Sequence, residues 1–486
     1  MRRIRRLAIL LVLLVLLPAS SLAATRALLV ACSSFLSQPE LGNAVSGNLQ
    51  MIGSALLGAH PRLASLSIED GTVGTPQALG TAISDAFSAA AEDDLSILYL
   101  CTHGVLSSDD QAVYLLLGDG QTESMLTGGE LYDMVAGIQG EKLLIIDACY
   151  SGALIGRTME AGEQLGRSSS AAAPFLSDPS VHVLTSAEGY ESSWYYDGEG
   201  LSTGAVSYFA SALSSGLGLY GALEADLNGD GRVTLSELHS HLNVAVPSSS
   251  SQLLSTSADA IALPTARGAM LTRPLTGFSY GELLLTADDP TLEFSFTVTR
   301  ETGVQYRVVD FDAGSWNWAE AKVFLDEGGT LAPGRKTREL TLSDVAPGDS
   351  GYVMLQIFAL EGDELILCSE RLIGVQPSGT DAQLALDCTS PYSPGESELL
   401  IRVDLSIPAE LTVSVHNAEG ELIRRLCTSQ LTHPSPDGLW HISWDGRDED
   451  GFPVPAGTYT LAAEAVICGV RQKATAVIRV PGARAW

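Results

Sequence analysis

Two short apolar runs, each ending in reactive side chains, constrain this chain more than any other feature of it. Leu95–Cys101 (LSILYLC) and Leu143–Ile146, within EKLLIIDACYSG, are short and continuously apolar, and they read as strands buried on both faces. The first run stops at Thr102-His103-Gly104. The second passes into Asp147, Ala148 and Cys149 before Ser151-Gly152 turns the chain. A helical-looking segment separates them, so they are able to lie as parallel neighbours, which would bring His103 and Cys149 out side by side at their carboxyl ends. An imidazole within reach of a thiol takes its proton or holds it as thiolate, and then protonates a leaving amine. His103 and Cys149 are therefore a candidate Cys/His dyad.

LSILYLCTHG followed by KLLIIDACYSG resembles the caspase-like cysteine peptidases, closer to their bacterial, metacaspase-like branch than to animal caspases. Animal caspases place their Cys in Q-A-C-x-G with the His about 50 residues earlier. Here the spacing is 46 residues and the local sequence is D-A-C-Y-S-G. The resemblance covers roughly residues 25–242 and rests on two strand-end motifs in the right order. It implies a caspase-like α/β/α sandwich with a mostly parallel sheet, and an oxyanion hole made by the backbone N–H groups of Cys149 and Gly104. Glycine suits position 104 because it lets substrate approach the backbone closely.

Alternation along the strand points Asp147 and Cys149 to the same side. The resemblance then puts the Asp147 carboxylate near the base of the first specificity pocket, paired with Arg or Lys of a peptide or protein substrate, and places the end of strand Val181–Ser186, with Ser186, beside that pocket. The alternative is a structural Asp147 bonded to backbone. Metacaspase-like relatives open the helix corresponding to Asn43–Leu57 with an Asn-Asp pair. Gly47-Asn48 stands there in this chain, so a second pocket acid is missing. In the family the region after the nucleophile often carries a processing cut, which makes Arg157, ahead of the small, polar stretch 161–173, and Arg167, within it, candidate self-cleavage sites; the alternative is an uncut surface loop.

At 486 residues the chain exceeds one ordinary core, and its net charge of −31 argues against nucleic acid or an anionic membrane as partner. Met1–Ala23 reads as a secretory signal, with Arg2, Arg3, Arg5 and Arg6 before the apolar run Leu7–Leu17 and a small-x-small site at Ser21-Leu22-Ala23. An uncleaved anchor and lipid attachment at Cys32 are the alternatives. The expected product is secreted or at the cell surface, with no membrane insertion after the signal is removed.

Asp226–Glu237 (DLNGDGRVTLSE) matches the twelve-residue EF-hand-type calcium loop. It offers oxygens from Asp226, Asn228, Asp230, the Arg232 carbonyl and Glu237, with Gly231 at the bend. Ca2+ is thus the expected cofactor. The domain plan is a peptidase domain over 24–246 including loop 226–237, a linker over 247–277, a β-sandwich over 278–377 and an immunoglobulin-like domain over 381–483. The last segment resembles the module of flagellar hook-capping proteins, which usually spaces, sorts or docks to a cell surface or protein partner. Trp316 and Trp318 are expected in the sandwich core, one or two disulfides are possible among Cys368, Cys388, Cys427 and Cys468, and Asp445–Gly451 is an acidic turn with weak calcium potential. The fold expected is α/β followed by two all-β sandwiches, and the function a cysteine endopeptidase cutting after basic residues. Two other readings stand beside it: an inactive caspase-like binding module, and a self-maturing surface adhesin.

Overall fold

The computed structural model describes residues 23–107, 112–156, 174–175, 177–189, 191–196, 206–246, 249–286, 288–311, 321–341, 351–361, 364–376, 383–394, 399–405, 407–432, 439–449 and 452–481. The signal-like run up to Leu22, Arg157, Arg167, the stretch 161–173 and both Trp316 and Trp318 lie outside the described residues.

The first unit alternates strand and helix. In chain order it contains β1 (Thr25–Ala31), α1 (Asn43–Leu57), β2 (Ser65–Asp70), α2 (Pro76–Phe87), β3 (Leu95–Cys101), β4 (His103–Leu106), β5 (Val113–Gly118), β6 (Glu123–Leu126), α3 (Gly128–Val135) and β7 (Glu141–Asp147). A 3-10 turn (Ser151–Ile155) follows, then β8 (Val181–Thr185), β9 (Tyr195–Tyr196), β10 (Val206–Ser207), α4 (Tyr208–Gly216), α5 (Leu235–Ala245) and β11 (Gln252–Leu254). Six strands form one sheet in the order β11-β8-β7-β3-β1-β2, parallel except for β11.

Continuous apolarity has the expected consequence, since both faces of the sheet are covered. Leu29, Ile97, Tyr99, Leu143 and Ile145 pack with α1, α4 and α5 on one side. Leu28, Leu98, Leu100, Leu144 and Ile146 pack with α2 and α3 on the other. Each such side chain contributes about 1.5–3 kcal/mol by leaving water. The helix α2 starts where the sequence indicates, with the Thr75 hydroxyl accepting from the Ala78 N–H at 3.2 Å and Pro76 in the first turn. It ends at Phe87 after burying Leu79, Ile83 and Phe87.

One expectation needs correction. Residues 247–277 are not a linker: Gln252–Leu254 pairs with β8 as the sixth strand of the sheet, and Ala262 and Ala266 bridge to Thr234 and Ala59. The α/β unit therefore runs on to the first strand of the next domain, at Leu275. Between Gly118 and Gly129 the chain forms β6, so that β4, β5 and β6 make a small antiparallel sheet beside the main one.

Two antiparallel sandwiches follow. The first is built on Phe294, Phe296, Val308, Leu355 and Ile357, and alternate residues of Thr291–Val298 are buried as a half-buried strand requires. The second closes around Trp444, Val413 and Leu461. All seven cysteines are free, so the disulfides considered for the C-terminal half do not form here. Cys32 follows β1 and is fully buried. Among the described residues no helix is long and apolar enough to cross a membrane.

Candidate active site

β3 and β7 are hydrogen-bonded neighbours with Cys101 opposite Asp147, and the Thr102 N–H donates to the Asp147 carbonyl at 3.2 Å. His103 and Cys149 each stand two residues beyond that pair, His103 opening β4 and Cys149 in the turn after β7. The backbones also meet, because Gly104 packs directly against the peptide unit of Cys149. His103, Gly104, Cys149 and Asp147 are thus brought to one place by the register of two strands.

His103 is held by a segment that sequence patterns do not reveal. Its Nε2 lies 2.9 Å from the Pro39 carbonyl, and the Phe35 ring packs 4.7 Å from the imidazole. A carbonyl only accepts, so Nε2 carries a proton, which leaves Nδ1 as the position of the lone pair whenever the ring is neutral. Glu123 ties down the same segment, its carboxylate accepting from the Leu36 N–H at 2.7 Å, the Ser37 N–H at 3.0 Å and the Ser37 hydroxyl at 2.6 Å. The Ser37 hydroxyl leads in holding the Glu123 carboxyl below its usual range. Pro39 acts through its backbone, which explains why no side-chain motif announces it.

Cys149 is partly buried, and its thiol donates weakly to the Ser193 carbonyl at 3.8 Å. Burial pushes the thiol's pKa up, with Asp147 adding to the shift, so the resting sulfur keeps its proton and requires a base. The chain leaves the sulfur by a tight turn. Tyr150 has φ 58° and ψ 14°, a left-handed conformation costing about 1–2 kcal/mol for a residue with a Cβ. The Tyr150 N–H donates to the Glu191 carbonyl at 2.7 Å and the Gly152 N–H to the Ala187 carbonyl at 2.9 Å, which fixes that turn to loop 187–193. A Cβ on Gly152 would meet the Glu188 and Gly189 backbone at 2.9 Å, so glycine permits this approach.

Asp147 is buried in a cage of side chains. Its Oδ2 accepts from the Ser207 hydroxyl at 2.6 Å, the Tyr99 hydroxyl at 2.8 Å and the Asn48 amide at 3.3 Å, and its Oδ1 accepts from the Ser193 hydroxyl at 2.9 Å. Desolvation raises its pKa, while the Ser207, Tyr99 and Ser193 hydroxyls oppose the rise. Among the described residues its donors are side chains from β3, α1, the end of β8, the 191–196 segment and the α4 N-cap. Asn48, noted in the sequence only for the acid it replaces, is one of them.

Ser186 stands beside Asp147 and is one of its side-chain hydrogen-bond partners. It has no exposed surface, and its hydroxyl accepts from the Ala148 N–H at 3.1 Å, so it braces the end of β7 from beneath. Cys101 is buried with its pKa pushed well up by desolvation, and the Asn48 amide lies 3.3 Å from its sulfur, so it has none of the exposure a nucleophile needs. His182 is satisfied on both ring nitrogens, by Glu141 at 3.0 Å and Ser255 at 2.8 Å.

The expected calcium loop is a closed turn leading into α5. Asp226 Oδ1 accepts from the Gly229 N–H at 2.9 Å and the Asp230 N–H at 3.1 Å, and its Oδ2 from the Gly231 N–H at 2.9 Å. Asn228 Oδ1 accepts from the Asp230 N–H at 2.8 Å, and Asp230 Oδ1 from the Arg232 N–H at 2.8 Å. Glu237 reaches back to the Asn228 N–H at 3.2 Å and to the Thr234 N–H at 2.9 Å. The donors are all oxygen, as a hard cation requires, but their side chains face loop amides. Among the described residues no three His, Cys, Asp or Glu side chains converge as a metal centre, at this loop or at Asp445–Glu449.

Comparison with solved structures gives low overall similarity. Caspase-1 from Spodoptera frugiperda is 14% identical with a TM-score of 0.31, over 52% of this chain and 93% of its own. A structure described as bearing on host cell surface retention of a 1.5-MDa bacterial ice-binding adhesin is 12% identical with a TM-score of 0.15, over 43% of this chain and 65% of that one. The CupB2 chaperone of Pseudomonas aeruginosa is 11% identical with a TM-score of 0.22, over 41% and 96%. The search of curated sequences gives no match. Residues 389–467, in the C-terminal sandwich, match the family model described as the FlgD Ig-like domain.

Proposed function

We propose that the α/β unit is a cysteine endopeptidase that cuts after Arg or Lys. The observation that supports the reading is the pairing of Cys101 with Asp147 at the ends of β3 and β7, two residues before His103 and Cys149, with Gly104 packed against the Cys149 backbone. His103, its Nε2–H committed to the Pro39 carbonyl, takes the thiol proton on Nδ1 as Sγ attacks the scissile carbonyl. The C–S bond forms as the carbonyl π pair moves onto oxygen, where the Cys149 and Gly104 N–H groups are the donors proposed for the oxyanion. The imidazolium returns the proton to the leaving amine, and water, activated at the same nitrogen, hydrolyses the thioester. Asp147, the buried carboxylate beside the nucleophile, is the proposed partner of the substrate's basic side chain.

In this reading the Asp226, Asn228, Asp230 and Glu237 side chains and the Arg232 carbonyl would hold Ca2+ in the loop before α5, where it would stiffen the entry to that helix. The Arg-rich, apolar N-terminus supports export to the medium or cell surface, and the FlgD-like module is a docking or spacing element there. A fluorogenic screen with Arg, Lys, Asp or Asn at the cleavage position, with and without Ca2+, tests the reading. Turnover confined to Asp substrates would sink the assignment of Asp147.

A further inference from the structure

Ser193 touches both groups on which the proposed chemistry depends. Its carbonyl receives the Cys149 thiol at 3.8 Å, and its hydroxyl donates to Asp147 Oδ1 at 2.9 Å. The other donors to Asp147 sit in the interior, with Tyr99 and Ser186 0%, Asn48 1% and Ser207 5% exposed. Ser193 instead belongs to a surface segment whose next two residues, Trp194 and Tyr195, are 39% and 46% exposed. That segment is anchored at its start, where the Glu191 carbonyl accepts from Tyr150 at 2.7 Å and the Glu191 carboxylate from the Ser250 N–H at 2.7 Å. A group arriving from solvent therefore reaches the carboxylate most directly by displacing Ser193, whose anchored neighbours need not move with it.

We infer that Ser193 is a specificity-determining residue that closes the resting site: a substrate guanidinium or ammonium replaces its hydroxyl on Asp147, and the same movement lifts its carbonyl from the thiol. The inference rests on Asp147 being the acid that meets the basic side chain. A cation–carboxylate hydrogen bond is roughly twice as strong as one between neutral groups, so a charged side chain has the advantage in this exchange over an uncharged one. A carboxylate side chain is repelled. Ser193 thus converts the presence of a basic residue into exposure of the nucleophile.

The test is the rate of Cys149 alkylation by iodoacetamide in the full chain, read by peptide mass mapping because seven thiols are present. S193A should alkylate about fivefold faster, the size expected for losing one net hydrogen bond. Millimolar agmatine, a small guanidinium probe, should accelerate the wild type and leave S193A unmoved, while S193T, which keeps the hydroxyl, retains the agmatine response. Melting curves check that each variant folds. The inference is overturned if S193A reacts at the wild-type rate, if the wild type ignores agmatine, or if agmatine accelerates S193A equally. No peptide hydrolysis enters this readout, so failure here leaves the dyad standing, and absent hydrolysis with this alkylation pattern intact fails only the peptidase reading.

Discussion

Gly104 and Cys149 touch through their backbones: a Cβ built on Gly104 would lie 1.7 Å from the Cys149 carbonyl oxygen and 2.8 Å from its carbonyl carbon. The obstacle is main chain at the end of a buried strand, so it yields only if β4 and the nucleophile turn separate. Gly104→Ala should cost about 1–3 kcal/mol of stability, the usual range for overpacking, and lower hydrolysis by at least about a hundredfold by moving His103 relative to the sulfur. Thermal melting and kcat/KM on a basic substrate read the two effects. An alanine variant with wild-type kinetics would show that the contact is incidental to catalysis.

Asp147 should tolerate loss of its charge better than loss of its shape. Burial already disfavours the ionised carboxyl, and Asn fills the same volume within the Tyr99, Ser207, Asn48 and Ser193 cage. Asp147→Asn is therefore expected to fold, with its kcat/KM for Arg and Lys substrates falling about a hundredfold or more. Equal losses on basic and neutral substrates would assign Asp147 to structure alone.

Loop 187–193 carries a pH-dependent stability contribution through Glu191. Burial, then the nearby Glu188 carboxylate, raise the Glu191 pKa to about 8 from 4.5. Below pH 4.5 both folded and unfolded states hold this proton. Between 4.5 and 8 only the folded state does, so stability falls as pH rises across that window. Glu370, raised to about 7 mainly by burial, acts in the same direction over a narrower range. Glu191→Gln should melt a few degrees higher than wild type at pH 8, with the gap closing towards pH 5. A gap that does not change with pH would contradict the assignment.

Calcium should raise the melting temperature of the wild type and leave Asp226→Asn/Glu237→Gln unaffected. At a hundredfold excess over its dissociation constant a single bound ion adds about 2.7 kcal/mol. Wild-type melting that does not respond to millimolar Ca2+ would remove the cation from the account. Identical shifts in the double variant would move it elsewhere in the chain.

Much of the first unit was legible because its information is local or periodic. Continuous apolar runs announced the two-sided burial of β3 and β7, and Thr75-Pro76 announced the start of α2. The spacing of His103 and Cys149 became a juxtaposition once the strands paired in parallel. What escaped was carried by backbone or by tertiary pairing. Pro39 acts through its carbonyl, β11 is a three-residue strand in a Ser-rich stretch that composition makes look like a linker, and Glu123 works through residues more than eighty positions away. Ser186 stands beside Asp147 at its strand end, with its hydroxyl also accepting from the Ala148 N–H.

The most direct test of the central claim is hydrolysis of fluorogenic Arg, Lys, Asp and Asn peptides by the full chain, compared with Cys149→Ala and His103→Ala. The account predicts turnover of the Arg and Lys peptides that both substitutions abolish. Basic-peptide cleavage surviving in Cys149→Ala, or no cleavage of any of the four by correctly folded wild type with and without Ca2+, would contradict it.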